Sequence, residues 1–179
     1  MKIAITGANG FIGKKLAENL KKKGIEVTAI SRKRNKKGEY TNEFLLNFNG
    51  INYLEDVDVL IHCAARVHQM KENKEEAPKL YQESNVETTI RLAHLAAKSG
   101  VKKFIFLSSI KVNGEETKKN EFFCEKSIEN PLDYYSKSKY AAERSLLLIN
   151  EKLKIVIIRP PLVYGPGVGA NFRRILWAT

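Results

Sequence analysis

With 179 residues, 43% of them apolar and 28% charged, the chain has the composition of one folded domain with a substantial core, and disorder is excluded as the default. No apolar run approaches the length a bilayer requires, and the one at the N-terminus is only a few residues long, so a cytoplasmic protein that stays out of the membrane is expected. A formal net charge of +11 raises nucleic acid as a partner, but the lysines stand singly or in short runs at helix ends and in loops, with no basic stripe interleaved with aromatics; a small anion such as a nucleotide diphosphate suits the charge instead.

In chain order, the β-branched run at 2–6 predicts a first strand, and Ile12, Leu16 and Leu20 then recur every four residues on one helix face until Gly24 stops it. Lys21, Lys22 and Lys23 sit where the negative end of that helix dipole favours cations. Strands are predicted at 26–30 and, more weakly, at 43–48, separated by a charged loop over 32–42. A strand at 57–62 and a loop over 66–79 lead to a helix at 81–99, with Val86, Ile90, Ala93 and Ala97 on one face and Gly100 as its stop. A strand at 103–108, a polar loop over 113–130, a helix at 134–151 and a strand at 154–159 follow. The closing "GANFRRILWAT" reads as an amphipathic helix that simply stops, so a fragment of a longer protein is expected; a natural terminal helix is the alternative. Short apolar strands alternating with helices are the pattern of a parallel sheet covered on both faces, a three-layer α/β/α fold.

"TGANGFIG" puts Gly7, Gly10 and Gly13 between the first strand and the first helix. One glycine serves the tight turn, a second lets a pyrophosphate approach, and a third lets helix and strand pack closely. The helix N-terminus, with Phe11 and Ile12, then offers free amides to the anion. The spacing is GxxGxxG rather than GxGxxG, but its place after the first strand of an α/β pattern points to a Rossmann-type, doubly wound dinucleotide-binding domain.

The stretch "LDYYSKSKYAAE" carries three phenols, Tyr134, Tyr135 and Tyr140. Acid/base work at a hydroxyl or ketone needs a phenol whose ionised form a cation stabilises, because a free tyrosine titrates near pH 10. A lysine four residues along a helix lies one turn away on the same face, and only Tyr135 has one, Lys139; Arg144 stands at the same offset from Tyr140. Lys137 faces away from Tyr135, and "LSSIK" places two hydroxyls, Ser108 and Ser109, at a strand end where parallel sheets bind ligands. Cys63 and Cys124 with His62, His68 and His94 form neither a disulfide framework nor a metal-ligand spacing, so reduced thiols and no metal are expected.

With "TGANGFIG", "HCAA" (62–65), "SNVETT" (84–89), "FIFLSSIKVNG" (104–114), "YSKSK" (135–139) and "RPPLVYGPG" (159–167) in this order, nearly the whole chain resembles the extended short-chain dehydrogenase/reductase family, also called the NAD-dependent epimerase/dehydratase family. The serine and arginine motifs are most similar to its bacterial branch of UDP-glucose 4-epimerase-like enzymes and UDP-N-acetylquinovosamine-forming 4-keto reductases. The resemblance implies a nucleotide-sugar oxidoreductase acting at C4 of a UDP-hexose, with Ser109, Tyr135 and Lys139 as the catalytic group and Ser108 beside the cofactor. It also implies cofactor contacts from Cys63, Ala64 and Ala65, from Ser84 or Asn85, and from Pro160, besides Tyr135 and Lys139. Arg66 reaches the cofactor or substrate, or is a plain loop cation; His62 is a buried strand-end residue.

Members of this family carry a second, smaller domain that reads the sugar, so within residues 1–179, most of a dinucleotide-binding domain, only Lys111, Asn113 and Asn171 are left as substrate contacts. Many 4-epimerases carry tyrosine where this chain has Asn113, which counts against a simple galactose epimerase. The second strand ends at Ser31 with Arg32 after it and no acid in sequence, which favours NADP(H) over NAD(H) and 4-keto reduction over epimerisation with a bound NAD. A non-catalytic dinucleotide-binding protein is the further alternative. A homodimer through the two long helices is the implied assembly.

Overall fold

The computed structural model describes residues 1–32, 40, 42–46, 48, 53–67, 73–149 and 153–168. Six parallel strands, β1 (Lys2–Thr6), β2 (Glu26–Ser31), β3 (Asn42–Leu45), β4 (Val59–His62), β5 (Lys103–Leu107) and β6 (Lys154–Ile158), lie in the order β3-β2-β1-β4-β5-β6. The chain runs outward from β1 to β3 and returns to start the other half at β4, so the order reverses between β1 and β4. That crevice, outside the carboxyl ends of the strands, is where such sheets bind ligands.

Alternation along the strands separates two cores. Ile3, Ile5, Val27 and Ala29 pack with Ala17 of α1 (Phe11–Lys22), whereas Ala4, Leu60, Phe104 and Phe106 pack with Leu92 and Ala96 of α3 (Thr88–Lys98) and with Ala142 and Leu146 of α4 (Tyr134–Leu147). The three-layer expectation holds. Gly24 and Gly100 both follow helices at positive φ, as stops should, and Lys21 and Lys22 occupy the last turn of α1.

The helix expected from residue 81 begins earlier, as α2 (Ala77–Tyr81), with a proline in its first turn, and passes through a wide π segment (Gln82–Glu87) into α3. The wide turn frees carbonyls that two threonines recover: Thr88 Oγ1 donates to the Glu83 carbonyl at 2.9 Å and Thr89 Oγ1 to that of Asn85 at 2.6 Å. It turns Asn85 fully inward. Helix α4 starts where expected because Asp133 accepts from the Ser136 amide at 2.6 Å while Ser136 Oγ accepts from the Asp133 amide at 3.1 Å, a reciprocal cap. The helix ends at Leu147, with Leu148 as its C-cap, short of the expected end at 151; most of the loop over 32–42 and the terminal segment with Asn171 lie outside the described residues.

Candidate active site

At the β1–β4 crevice lies a cleft of about 540 Å³ lined by Gly7, Gly10, Ser31, Arg32, Cys63, Ala64 and Ala65, all expected there, and by Thr6, Asn9, Ile30 and Leu46, which sequence reasoning missed. Gly7 sits at φ +69°, and a Cβ there would lie 2.7 Å from the Ala64 nitrogen; a Cβ on Gly13 would lie 2.3 Å from the Gly7 oxygen. Only glycine permits this cradle. Gly10 caps α1 with no side chain over the helix end, so the first amides, near Phe11 and Ile12, stay open to an anion. The cradle therefore fits a dinucleotide pyrophosphate.

At the Ser31 end of the cleft, the reading that no carboxylate stands by the second strand needs correcting. Glu43 is out of reach in sequence, but β3 pairs beside β2 and brings its Oε1 to 3.2 Å from Ser31 Oγ, which donates to it. Arg32 is exposed on the cleft rim.

The catalytic candidates meet at the ends of β5 and α4. Burial pushes the Tyr135 phenol above its ordinary value, and Asp133 adds to this, while a hydrogen bond with Ser109 and the Lys111 charge pull it down. Tyr135 therefore rests protonated at neutral pH. Lys139 is 1% exposed; its Nζ donates to the Leu107 carbonyl at 2.8 Å and stands 4.5 Å from the centre of the Phe106 ring. Burial lowers it to about 8, with Cys63 and Glu143 pushing it back up. Lys137 is exposed, and Tyr134, 46% exposed, is not held in the site.

Other expected contact residues are bonded within the protein. Ser108 is buried, with its hydroxyl donated to Glu143 and its amide to the Ile158 carbonyl, so its polar groups turn away from the cleft. Asn113 donates to the Ser127 carbonyl at 3.1 Å and accepts from Arg159 at 3.2 Å. Lys111 pairs with Asp133 at 2.8 Å and Glu115 at 2.9 Å. Lys111 thus ties the segment after β5 to the start of α4, Ser108 ties it to the body of α4 and to β6, and Asn113 ties it to Ser127 and Arg159, which satisfies their polar groups. Arg66 stacks over the Tyr81 ring, 5.6 Å from its centre. Ser84 is half-buried on the π segment, and Pro160 lends its carbonyl to the Ile110 amide at 3.0 Å.

Asn85 and His62 knit the cleft to the catalytic helix. Asn85 accepts from the Arg66 amide at 2.7 Å, donates to the Arg66 carbonyl at 3.0 Å, and donates to Ser138 Oγ at 2.9 Å; Ser138 in turn donates to the Tyr135 carbonyl at 2.7 Å. His62 joins Thr6 at 2.6 Å and Thr89 at 2.9 Å. Because Thr89 donates to Asn85, it receives from His62 Nε2, and Nδ1 accepts from Thr6. Burial, with the Lys139 charge, lowers His62 to about 3, so the ring is neutral and structural. Burial likewise pushes the Cys63 thiol up to about 11, and both cysteines are free. Among the described residues no cluster of His, Cys, Asp or Glu could hold a metal ion, and no helix is long and apolar enough to cross a membrane.

Residues 3–179 match the NAD dependent epimerase/dehydratase family. The chain belongs to this family. It is 40% identical over 185 residues to a UDP-glucose 4-epimerase of Vibrio cholerae, covering 97% of the chain and 55% of that protein. Among solved structures of the epimerase/dehydratase fold, MoeE5 in complex with UDP-glucose and NAD superposes with a TM-score of 0.79 at 29% identity, over 93% of the chain and 56% of MoeE5. The UDP-glucose 4-epimerase of Thermus thermophilus, in complex with NAD, gives 0.79 at 25% identity, over 93% of the chain and 57% of that one. The chain thus spans about half the length of the family members it matches.

Proposed function

We propose that the protein acts on a UDP-hexose at C4, interconverting the two epimers through a 4-keto sugar with a nicotinamide dinucleotide held in the β1–β4 cleft. The observation that carries this reading is the meeting of Ser109 and Tyr135 at the sheet's carboxyl edge, with buried Lys139 one helical turn away. When bound, the nicotinamide supplies the means of taking a hydride from C4 and returning it. Gly7, Gly10, Phe11, Ile12 and Gly13 hold the pyrophosphate, Ser31 and Arg32 the adenosine ribose, and Cys63, Ala64 and Ala65 the wall beside it; Ser84, Tyr135, Lys139 and Pro160 surround the reactive end.

In its ionised form Tyr135 takes the proton from the sugar O4 as the ketone forms, and it gives that proton back on the return. Ser109 donates to the same oxygen and steadies it. Lys139, protonated below about pH 8, supplies the positive charge that makes a phenolate accessible to a buried tyrosine. The V. cholerae relative and the NAD in the solved neighbours support epimerisation, and Glu43 beside Ser31 supports NAD, since a carboxylate there repels a ribose phosphate.

One observation favours a second reading. Arg32 on the cleft rim can meet the extra phosphate of NADP(H), which would make the reaction a one-way 4-keto reduction. Incubation with UDP-glucose or UDP-galactose and NAD, and in parallel with a UDP-4-keto sugar and NADPH, with analysis of both sugar and cofactor, separates the two. Epimerisation approaches one sugar ratio from either side with no net cofactor change; stoichiometric NADPH consumption on a UDP-4-keto sugar establishes reduction instead. A homodimer packed through α3 and α4 is proposed for the assembly, and light scattering on the eluting protein checks it.

A further inference from the structure

Four residues beyond Lys139, and on the same side of α4, Glu143 is 2% exposed. It accepts from Arg159 Nε at 3.0 and 3.1 Å and from Arg159 Nη2 at 2.5 Å, and it also receives the Ser108 hydroxyl. Arg159 continues to Asn113 Oδ1 at 3.2 Å and Glu129 Oε1 at 3.1 Å. The pair thus ties three segments together: α4 with Tyr135 and Lys139, the end of β5 next to Ser109, and the exit of β6 that leads to Pro160.

We propose that Glu143 and Arg159 form a positioning pair for the acid/base group, with Glu143 keeping the Lys139 ammonium charged and Ser108 fixing where Ser109 stands. The proposal rests on the assignment of Tyr135 and Lys139 above, but its electrostatic half can be tested without turnover. Removing a buried ion pair's one partner leaves the other uncompensated, and here the leftover charge lies beside the site.

The groups facing Lys139 are few. From the end of β4 comes the neutral His62 and, one residue past that strand, Cys63; from β5 come the Leu107 carbonyl and Phe106 ring, and from α4 itself Glu143, behind which stands Arg159 of the β6 exit. Of these, Glu143 is the paired carboxylate. It opposes the burial that draws Lys139 down to about 8. Without it, the unpaired Arg159 cation would add its repulsion, and Lys139 would lose its proton at lower pH. Without Arg159, the carboxylate would act on Lys139 undiluted, and the proton would be held to higher pH.

The test is NMR titration of Lys139 in the full chain isotopically labelled at lysine Cε, with the signal assigned by its loss in Lys139→Arg. Glu143→Gln should move the titration down by about one pH unit and Arg159→Met up by a comparable amount, whereas Arg159→Lys, which keeps the charge, should stay near the wild type. Opposite shifts support the proposal, and each variant alone carries a sign if the other does not fold. A merely structural pair would lower the melting temperature of both and move Lys139 in neither, or in one direction for both; either result overturns the proposal. Failure of the epimerisation assay would leave these titrations unchanged, so the two readings fail separately.

Discussion

Tyr135, the proposed acid/base group, was picked out by spacing because the constraint that selects it is local: one helical turn separates the phenol from Lys139. The residues that surround it were not. Glu143 repeats the same interval beyond Lys139, a signal available in sequence, but nothing in the sequence says that Arg159 arrives from β6 to meet it. Lys111 and Asn113 stand next to the serine motif, and sequence proximity does not reveal that Lys111 also holds Asp133 and that Asn113 holds Ser127 and Arg159, 14 to 46 residues away. Replacing Tyr135 with Phe removes the transferable proton and little packing; turnover should fall roughly 100- to 10,000-fold with cofactor affinity unchanged, measured by steady-state kinetics and fluorescence titration.

His62 gives a second prediction at this scale. In the unfolded chain it takes up a proton near 6.5, in the fold only near about 3, so between these values the unfolded state binds more protons. Its contribution to stability is therefore intact above pH 6.5 and is lost progressively as the pH falls toward 3. Melting curves across that range should decline more steeply for the wild type than for His62→Gln.

Among elements, the strands and α1 follow from period and punctuation, and the observed strand limits differ from the expected ones by a residue or two, except that β3 ends at Leu45, three residues short of 48. The π segment was not legible, since "YQESNVE" has an ordinary helical pattern; the widening comes from the buried demands of Asn85 and Thr89, which are met only by β4, the loop after it, and α4. The same holds for Glu43, which reaches Ser31 only because β3 pairs with β2. Asp133 joins two elements by capping α4 and anchoring Lys111. Asp133→Ala should cost about 1 kcal/mol in chemical denaturation, the usual loss of an N-cap, and should also reduce activity by loosening the wall beside Ser109.

For the molecule as a whole, the doubly wound parallel sheet between two helix layers was implied by alternating strands and helices with one glycine turn, while the strand order and the division into two apolar cores come from the structure. Cofactor choice was harder to read, because Arg32 lines the cleft beside Ser31 while Glu43, out of reach in sequence, accepts from that same serine, and the two charges are of opposite sign. The chain matches about half of its family members' length, and the half it matches is the one built around the dinucleotide cradle. The most direct test of the account is therefore titration of the purified chain with NADH, followed by the cofactor's fluorescence, for the wild type, Tyr135→Phe and Gly13→Ala, with folding of each checked by circular dichroism. The account predicts saturable binding of one NADH per chain for the wild type and Tyr135→Phe, displaced by NAD, and at least roughly tenfold weaker binding for Gly13→Ala, whose Cβ would stand 2.3 Å from the Gly7 oxygen. Absence of saturable binding in the folded wild type, or binding that Gly13→Ala leaves untouched, would contradict it.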